Sequence, residues 1–412
     1  MTETKTAMTQ TLNRAEDILF KRYQALASDP ARARAFESFK ASGLPHRRME
    51  NWRWSDFKAR LDTLFARSDS HTTAQADPFE TLDGIICLRF KNGVLAELPD
   101  LPEGIDILQK RGGYAFANCE DIPLGALTAA LVPATYLIEV TQSYAQPIKL
   151  VFEGEGAAAF ARIDCVIRPD IELSLIETYR GGAKFNASLT SFNLNQGAKL
   201  SRYMIQPATQ DQAHAITSEI HLDAQSRYEQ TSLAFGGHLA RIETRGTHHG
   251  PESEMLLKAA YLAGPGHHID HTSHIRHGAP HCITRQRTKG AVLNKGTGVF
   301  QGKFHVPRVV GQKTDADMQH NALLLEEGAI VNAKPELEIY ADDVACAHGN
   351  TCGALDEAAL FYMRQRGIPD LQARAMLTEA FISEIFDTDG QAHSALATLR
   401  EAAKAWLAQL SQ

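Results

Sequence analysis

The chain has 412 residues, of which 44% are apolar and 22% charged, and a formal net charge of −7. That length exceeds one ordinary core and predicts two or three domains, while the composition is that of a globular protein. The acidic balance argues against nucleic acid as the main partner, and no stretch approaches the ~20 apolar residues of a membrane span.

The opening MTETKTAMTQTLNRAEDILF contains acidic residues and no apolar run before a small-residue cleavage site, so it does not read as a secretory signal. Leu12, Ala15, Leu19, Tyr23 and Leu26 recur at helical spacing and predict a helix with one apolar stripe. Asp29–Pro30 reads as an N-cap followed by proline at the first helical position; Ala35, Phe36 and Phe39 form the buried face of that helix and Gly43 ends it. In LPHRRMENWRWSDF (44–57), Trp52 and Trp54 read as anchors that dock an extended segment on the body of the protein. Residues 68–80 (SDSHTTAQADPFE) are polar and read as a linker or surface loop.

Beyond the linker the apolar period changes from 3.6 to 2. Runs recur at Ile163–Ile167, Ile171–Leu175, Leu189–Leu194, Ile216–Leu222 and Thr231–Phe235, with turn-like clusters near Pro169, Gln196, Gln225, Pro251 and Ala279. Their spacing of about 26–29 residues predicts an irregular repeat, as in a parallel β-helix solenoid, with a β-sandwich as the alternative. Helices return after His348. One opens at Asp356–Glu357 and closes at Gly367; the next opens at Pro369–Asp370 with Leu377, Phe381 and Ile385 on one stripe. DTDG (387–390) is a turn, and a last helix carries Leu396, Leu399, Ala403, Leu407 and Leu410. The expected organisation is a helical region with linker over 1–80, a β-rich core over 81–348 and C-terminal helices over 349–412.

Six widely spread cysteines (Cys87, Cys119, Cys165, Cys282, Cys346, Cys352) with no C-x-x-C pair fit cytoplasmic thiols and argue against a zinc ribbon. Histidines cluster in HHIDHTSHIRHGAPH (267–281), with a further pair at His248–His249. His267/His271 and His274/His277 have helical metal-ligand spacing, yet Gly264, Pro265, Gly266 and Gly278 argue against a helix. In a strand, His267, His271, His277 and His281 share a parity and would line one face. That cluster reads either as the metal centre of a β-helix metalloenzyme or as a ladder of half-exposed histidines on stacked rungs. No H-E-x-x-H is present, and no motif marks Asp270 as a base.

KPELEIYADDVACAHGNTCGALDEAALFYMRQRG (334–367) reads as a strand, a tight turn at Gly349 and a helix start. If the strand continues to His348, Cys346 and His348 point to one side, and Cys352 would fold back towards them. Thiolate and imidazole suit iron, zinc or Cu(I). Three such groups in one short stretch do not close a tetrahedral site, so they read as half of one completed by another chain, or else as a buried cysteine beside a carbonyl-bonded histidine. The adjacent Asp342 and Asp343 alternate sides and are no acid/base couple. QKTDADMQHNALLLEEGA (312–329) reads as a polar turn feeding a buried strand. The chain has no Walker A, G-x-G-x-x-G or G-x-S-x-G sequence, which leaves an ATPase, a Rossmann dehydrogenase or an α/β-hydrolase without support.

These segments together, ENWRWS, HHIDHTSHIRH, QKTDA followed by LLL, and LEIYADDVACAHG, resemble the SufB/SufD family of iron–sulfur cluster assembly proteins, and within it the SufD branch. The resemblance is strongest from His267 to Gly367. Ala347, Asn350 and Cys352 depart from the family pattern C-S-H-G-[AS]-T-V-G, and Cys352 is either an added thiol or a small hydrophobe. The resemblance implies a right-handed parallel β-helix core flanked by N-terminal and C-terminal α-helical regions. It implies a scaffold that is not an enzyme, pairs with a SufB-like paralogue and binds a SufC-like ABC ATPase through its C-terminal helices, where Phe361, Tyr362 and Phe381 are candidate anchors. A transient Fe–S cluster shared with SufB would sit at His348 and Cys346, with sulfur arriving through SufB. No tightly bound cofactor is expected in the isolated chain; flavin binding and a homodimer of the isolated chain stay open.

Overall fold

The computed structural model describes residues 13–27, 29–67, 77–80, 82, 84–110, 122–207, 209–387 and 394–408. Leu12, most of the 68–80 linker, Cys119, the DTDG turn beyond Asp387 and Leu410 lie outside the described residues. Helices α1 (Arg14–Gln24), α2 (Pro30–Ser42) and α3 (Phe57–Ala66) come first. Asn13 and Glu16 form a capping box on α1, which satisfies two of its otherwise unpaired N–H groups. Asp29 accepts from the Ala31 and Arg32 N–H groups at the start of α2, and Gly43, at φ +69, ends it. Ala15, Leu19, Phe36, Phe39, Phe57 and Leu61 face a common cluster with α4 (Pro123–Leu131).

The rest of the chain is mainly strand. In chain order these are β1 (Ile86–Lys91), β2 (Val94–Leu95), β3 (Ile105–Lys110), β4 (Thr135–Val140), β5 (Ile148–Gly154), β6 (Ala158–Ile167), β7 (Glu172–Gly181), β8 (Phe185–Leu194), β9 (Lys199–Gln206) and β10 (Ala213–Leu222). They continue with β11 (Arg227–Ala234), β12 (Leu239–His248), β13 (Glu254–Ala263), β14 (His268–His277), β15 (Ile283–Val292), β16 (Thr297–Val306), β17 (Asp315–Leu324), β18 (Ile330–Ile339) and β19 (Ala345–Gly353). From β4 on, successive strands alternate between two sheets, and each pairs in parallel with the strand two further along. The fold is thus a parallel β-solenoid, not a sandwich, with helices at both ends.

The corners fall where the sequence places its turns. Asp170, Gln225, Glu252 and His281 have φ between +58 and +60, and Gly197 has φ +70. They stack, each amide bonding a carbonyl one coil on: Asp170 to Gln196, Gly197 to Ala224, Gln225 to Pro251 and Glu252 to Pro280. Between corners, alternate residues point inward. Ile163, Leu175, Phe192, Leu200, Ile220, Tyr228, Met255, Ile269, Phe300 and Met318 fill one continuous interior. Burying each such side chain contributes about 1.5–3 kcal/mol.

The two ends of the solenoid differ. At the N-terminal end, antiparallel β2 and β3 close the two sheets. At the C-terminal end, β19 and β18 are the last strands of their sheets, each with a neighbour on one side among the described residues. Helices α5 (Glu357–Gln365), α6 (Asp370–Ser383) and α7 (Ser394–Ala408) follow. Asp356 caps α5, and Gly367 ends its turn at φ +83. Leu396, Leu399 and Leu407 of α7 cover Ile205, Leu233 and Leu262 on the outer face of the β19 sheet. Among the described residues, no helix is long and apolar enough to cross a membrane.

Candidate functional site

The strand that was expected to run through ADDVACAH breaks. β18 stops at Ile339, the chain turns a corner over Tyr340–Val344, and β19 then runs straight through Gly349 to Gly353. Gly349 therefore makes no turn, and its φ is not left-handed. The reason is stacking. The corner sits on the one below it, with the Lys313 N–H bonded to the Asp343 carbonyl at 2.7 Å, and β19 must then follow the register of β17. Asp342 and Asp343 lie in this exposed corner.

An extended β19 sends every second residue to the same face. Cys346, His348, Asn350 and Cys352 stand opposite Ala316, Met318, His320 and Ala322, all of which are buried. This row is the inward face of the last coil, and no described strand lies beyond it. His348 and Cys352 are exposed and Cys346 is half-buried. Cys352 extends the row and does not fold back onto Cys346. Burial pushes the Cys346 thiol up, opposed by a bond with the Ala316 backbone; burial also pushes Cys352 up, opposed by Asn350. The row offers two thiols and an imidazole to anything seated against the open end.

The histidines of 267–281 do not form the expected four-membered face. His267 and His281 lie in corners outside β14; His267 Nδ1 is 2.8 Å from the Phe235 carbonyl, and His281 supplies a left-handed corner. His271 and His277 point into the core beside Ile269 and Ile275. His277 stacks on His248 with centroids 4.9 Å apart, and both reach Thr284 Oγ1, at 2.9 and 3.1 Å. His268 and His274 face outward. His268 Nε2 is 3.1 Å from Ser55 Oγ, Ser55 donates to Asp270 Oδ2 at 2.5 Å, and Arg241 bonds the same oxygen at 2.9 Å. Arg241 also lies 3.7 Å from the centre of the Trp52 ring, and Trp52 is buried. Asp270 is thus part of the lock that docks the N-terminal segment, and Trp52 is the anchor it was read to be. Among the described residues, no three His, Cys, Asp or Glu side chains are grouped to hold a metal ion.

The amino-acid sequence is similar to those of known proteins. Residues 150–381, from just inside β5 to near the end of α6, match the family described as SUF system FeS cluster assembly, SufBD core domain. The chain belongs to the SufB/SufD family. It is 28% identical over 361 residues to the iron–sulfur cluster assembly protein SufD of Escherichia coli K12, covering 84% of this chain and 85% of that one. It is 28% identical over 389 residues to an iron–sulfur cluster assembly SufBD family protein of Synechocystis, covering 84% and 83%. It is 27% identical over 422 residues to the chloroplastic protein ABCI7 of Arabidopsis thaliana, covering 89% of each. The span that carries the SufBD match includes both the β19 row and the histidine-rich strand.

The buried histidines of this SufBD core predict its acid response. Burial lowers His214, His268, His271, His277 and His320 to about 4. An unfolded histidine titrates near 6.5. Between those values the unfolded chain binds more protons than the folded one, so stability falls as pH drops from about 6.5 towards 4. The thermal midpoint should fall steeply over that window, and below it these groups add no further loss. A midpoint that stays flat from about pH 6.5 to 4.5 would contradict this assignment.

Sequence reasoning singled out neither His320 nor Tyr261, and met Asn350 only as a departure from the family pattern, although His320 Nδ1 lies 2.6 Å from Asn350 Oδ1 and Tyr261 2.9 Å from His320 Nε2. The signal present was period-2 spacing in QKTDADMQHNALLL, which puts Met318 and His320 on one face behind the row.

Proposed function

We propose that this chain is a scaffold subunit of the SUF system, paired with a SufB-like paralogue through its open solenoid end. A nascent Fe–S cluster forms at the junction, with His348 and Cys346 as ligands from this side. The carrying observation is that β18 and β19 each pair on one side only among the described residues, and that β19 bears the ligand row. Unpaired N–H and C=O groups along a long flat edge are a template for a further strand. Exposed Val309, Ile330, Ile339 and Tyr340 lie at this end and add apolar area. The row is an incomplete ligand set, and thiolates or carboxylates of a facing chain would complete it.

The C-terminal helices carry a SufC-like ATPase in this reading. Leu360 and Ala373 join α5 to α6, whereas Phe361 and Tyr362 on α5 are 63% and 60% exposed, with Leu371 and Met376 of α6 also exposed. Phe381 is less suited as an anchor, being half-buried in its own chain's cluster with Lys289 4.3 Å from its ring centre. Removing the whole region would uncover Ile205, Leu233 and Leu262, so point substitutions make the cleaner test. Tagged chain co-expressed with a SufB-like and a SufC-like protein should retain both. Phe361→Ser with Tyr362→Ser should lower SufC retention by at least about tenfold, the loss of roughly 1.4 kcal/mol or more expected of two anchor residues, and leave SufB retention intact. Undiminished SufC retention would refute the helical contact; failure to retain a SufB-like partner would refute the pairing.

A further inference from the structure

One side chain of the open row is fixed from the core. His320 on β17 is buried and stands opposite Asn350 of β19, with Nδ1 2.6 Å from Asn350 Oδ1. Its other nitrogen, Nε2, is 2.9 Å from the hydroxyl of the fully buried Tyr261 on β13. The imidazole lies on Phe300 with centroids 4.6 Å apart at 4°. Tyr261 fills room left by Gly290 and Gly298, where an added methyl group would sit 2.0 or 2.5 Å from it. A buried phenol whose proton finds no acceptor is costly, so the phenol donates to Nε2 and the ring proton sits on Nδ1. Nδ1–H then donates to Asn350 Oδ1. An amide is planar, so an oxygen held towards β17 turns the NH2 group away from β17, on a residue that is exposed. Asn350 therefore offers donors to whatever seats against β19. It is also a position where this chain departs from the family pattern, which has alanine or serine there.

We propose that Asn350 is a specificity-determining residue of the pairing edge: held by His320, it donates to a carboxylate on the inward face of the partner strand that seats against β19. This rests on the pairing reading. Coils here stack residue on residue, as in the bond from Asn321 Nδ2 to Thr351 Oγ1 at 2.6 Å. A strand added at the usual spacing of about 4.8 Å therefore sets one of its own inward side chains against Asn350. A side chain that only accepts is the best match for one that presents only donors, and a carboxylate is that group. The solenoid already seats such a carboxylate inside, where Glu177 accepts from Arg202 and from the Tyr179 hydroxyl. A partner slipped along β19 by two residues, or one with an apolar side chain in this row, would leave the amide buried and unpaired. Asn350 thus selects one register and one class of partner strand.

The test measures binding of the purified full-length chain to a SufB-like protein, together with the thermal midpoint of the chain alone. Asn350→Asp keeps the shape and the acceptor for His320 Nδ1–H, and replaces the outward donors with an oxygen that only accepts. The dissociation constant should rise by about tenfold or more, and the midpoint of the isolated chain should not fall. Asn350→Ala removes the donors without adding charge and should raise the constant by about threefold or more, less than Asn350→Asp does. Constants within about twofold of wild type in both variants would overturn the proposal. So would tighter binding by Asn350→Asp, which would place a donor or a cation opposite the residue. Weaker binding matched by a lower midpoint of the isolated Asn350→Asp chain would overturn it as well, because the residue would then serve the fold and not the partner. A wild-type chain that does not bind the SufB-like protein refutes the pairing reading and this inference with it. A wild-type chain that binds, beside variants that bind equally well, removes only the role of Asn350.

Discussion

Arg202→Met is expected to destabilise the chain by about 3–5 kcal/mol, the usual cost of stranding one member of a buried ion pair. Arg202 and Glu177 face each other inside the solenoid and both side chains are fully buried, with Nη2 2.6 Å from Oε2 and Nε 2.8 Å from Oε1. Burial alone would lower the arginine, but the charge and hydrogen bond of Glu177, with Tyr228 and Tyr179, together more than reverse this and keep the guanidinium protonated. Its other donors reach Ser218 at 2.8 Å, Gln230 at 3.1 Å, Tyr228 at 3.2 Å and Thr190 at 3.3 Å, and Phe192 lies 4.8 Å from the cation. Methionine in its place leaves Glu177 with the Tyr179 hydroxyl at 2.7 Å and no counter-charge. Glu177→Leu combined with Arg202→Met removes both charges and should recover most of the loss, because apolar replacement of a whole buried pair is often neutral. Urea unfolding midpoints of the two single variants and the double variant measure this directly. A single substitution costing less than about 1 kcal/mol, or a double variant as unstable as the single, would show that the pair does not hold the coils in register.

Much of the architecture was legible because its signals are local. Asp29–Pro30 and Gly43 bound a helix by capping chemistry alone, and the corners near Pro169, Gln225 and Pro251 were marked by polar and proline residues at near-regular spacing. Inward alternation followed from period 2. The errors have one cause, which is that stacking between coils overrides local signals. Gly349 invites a turn, yet β19 stays extended because it copies β17. His267 and His281 share parity with His271 and His277 on paper, but the strand is too short to include them. The lock of Ser55 on His268 joins residues 213 apart, and no pattern within a segment announces such a contact. Of the stripe expected on α6, Phe381 is half-buried in its own chain, whereas Leu371 and Met376 elsewhere on the same helix stay exposed.

The position of His348 makes the cluster-assembly account vulnerable at a single residue. It is exposed, lies on the inward face of the terminal strand, and sits one rung position from Cys346. A neutral imidazole there can offer one nitrogen to iron. His274, by contrast, faces outward from the other sheet and belongs to no part of the row. Alanine at 348 removes a ligand without opening a cavity, so folding and partner retention should be preserved. The decisive measurement is the iron and sulfide content, with the visible absorbance, of the complex co-expressed with SufB-like and SufC-like partners. The account predicts that His348→Ala lowers cluster content by about tenfold or more, at least the loss seen when a supporting residue of a metal site is removed, while His274→Ala stays near wild type. Full cluster content in an intact His348→Ala complex would contradict it.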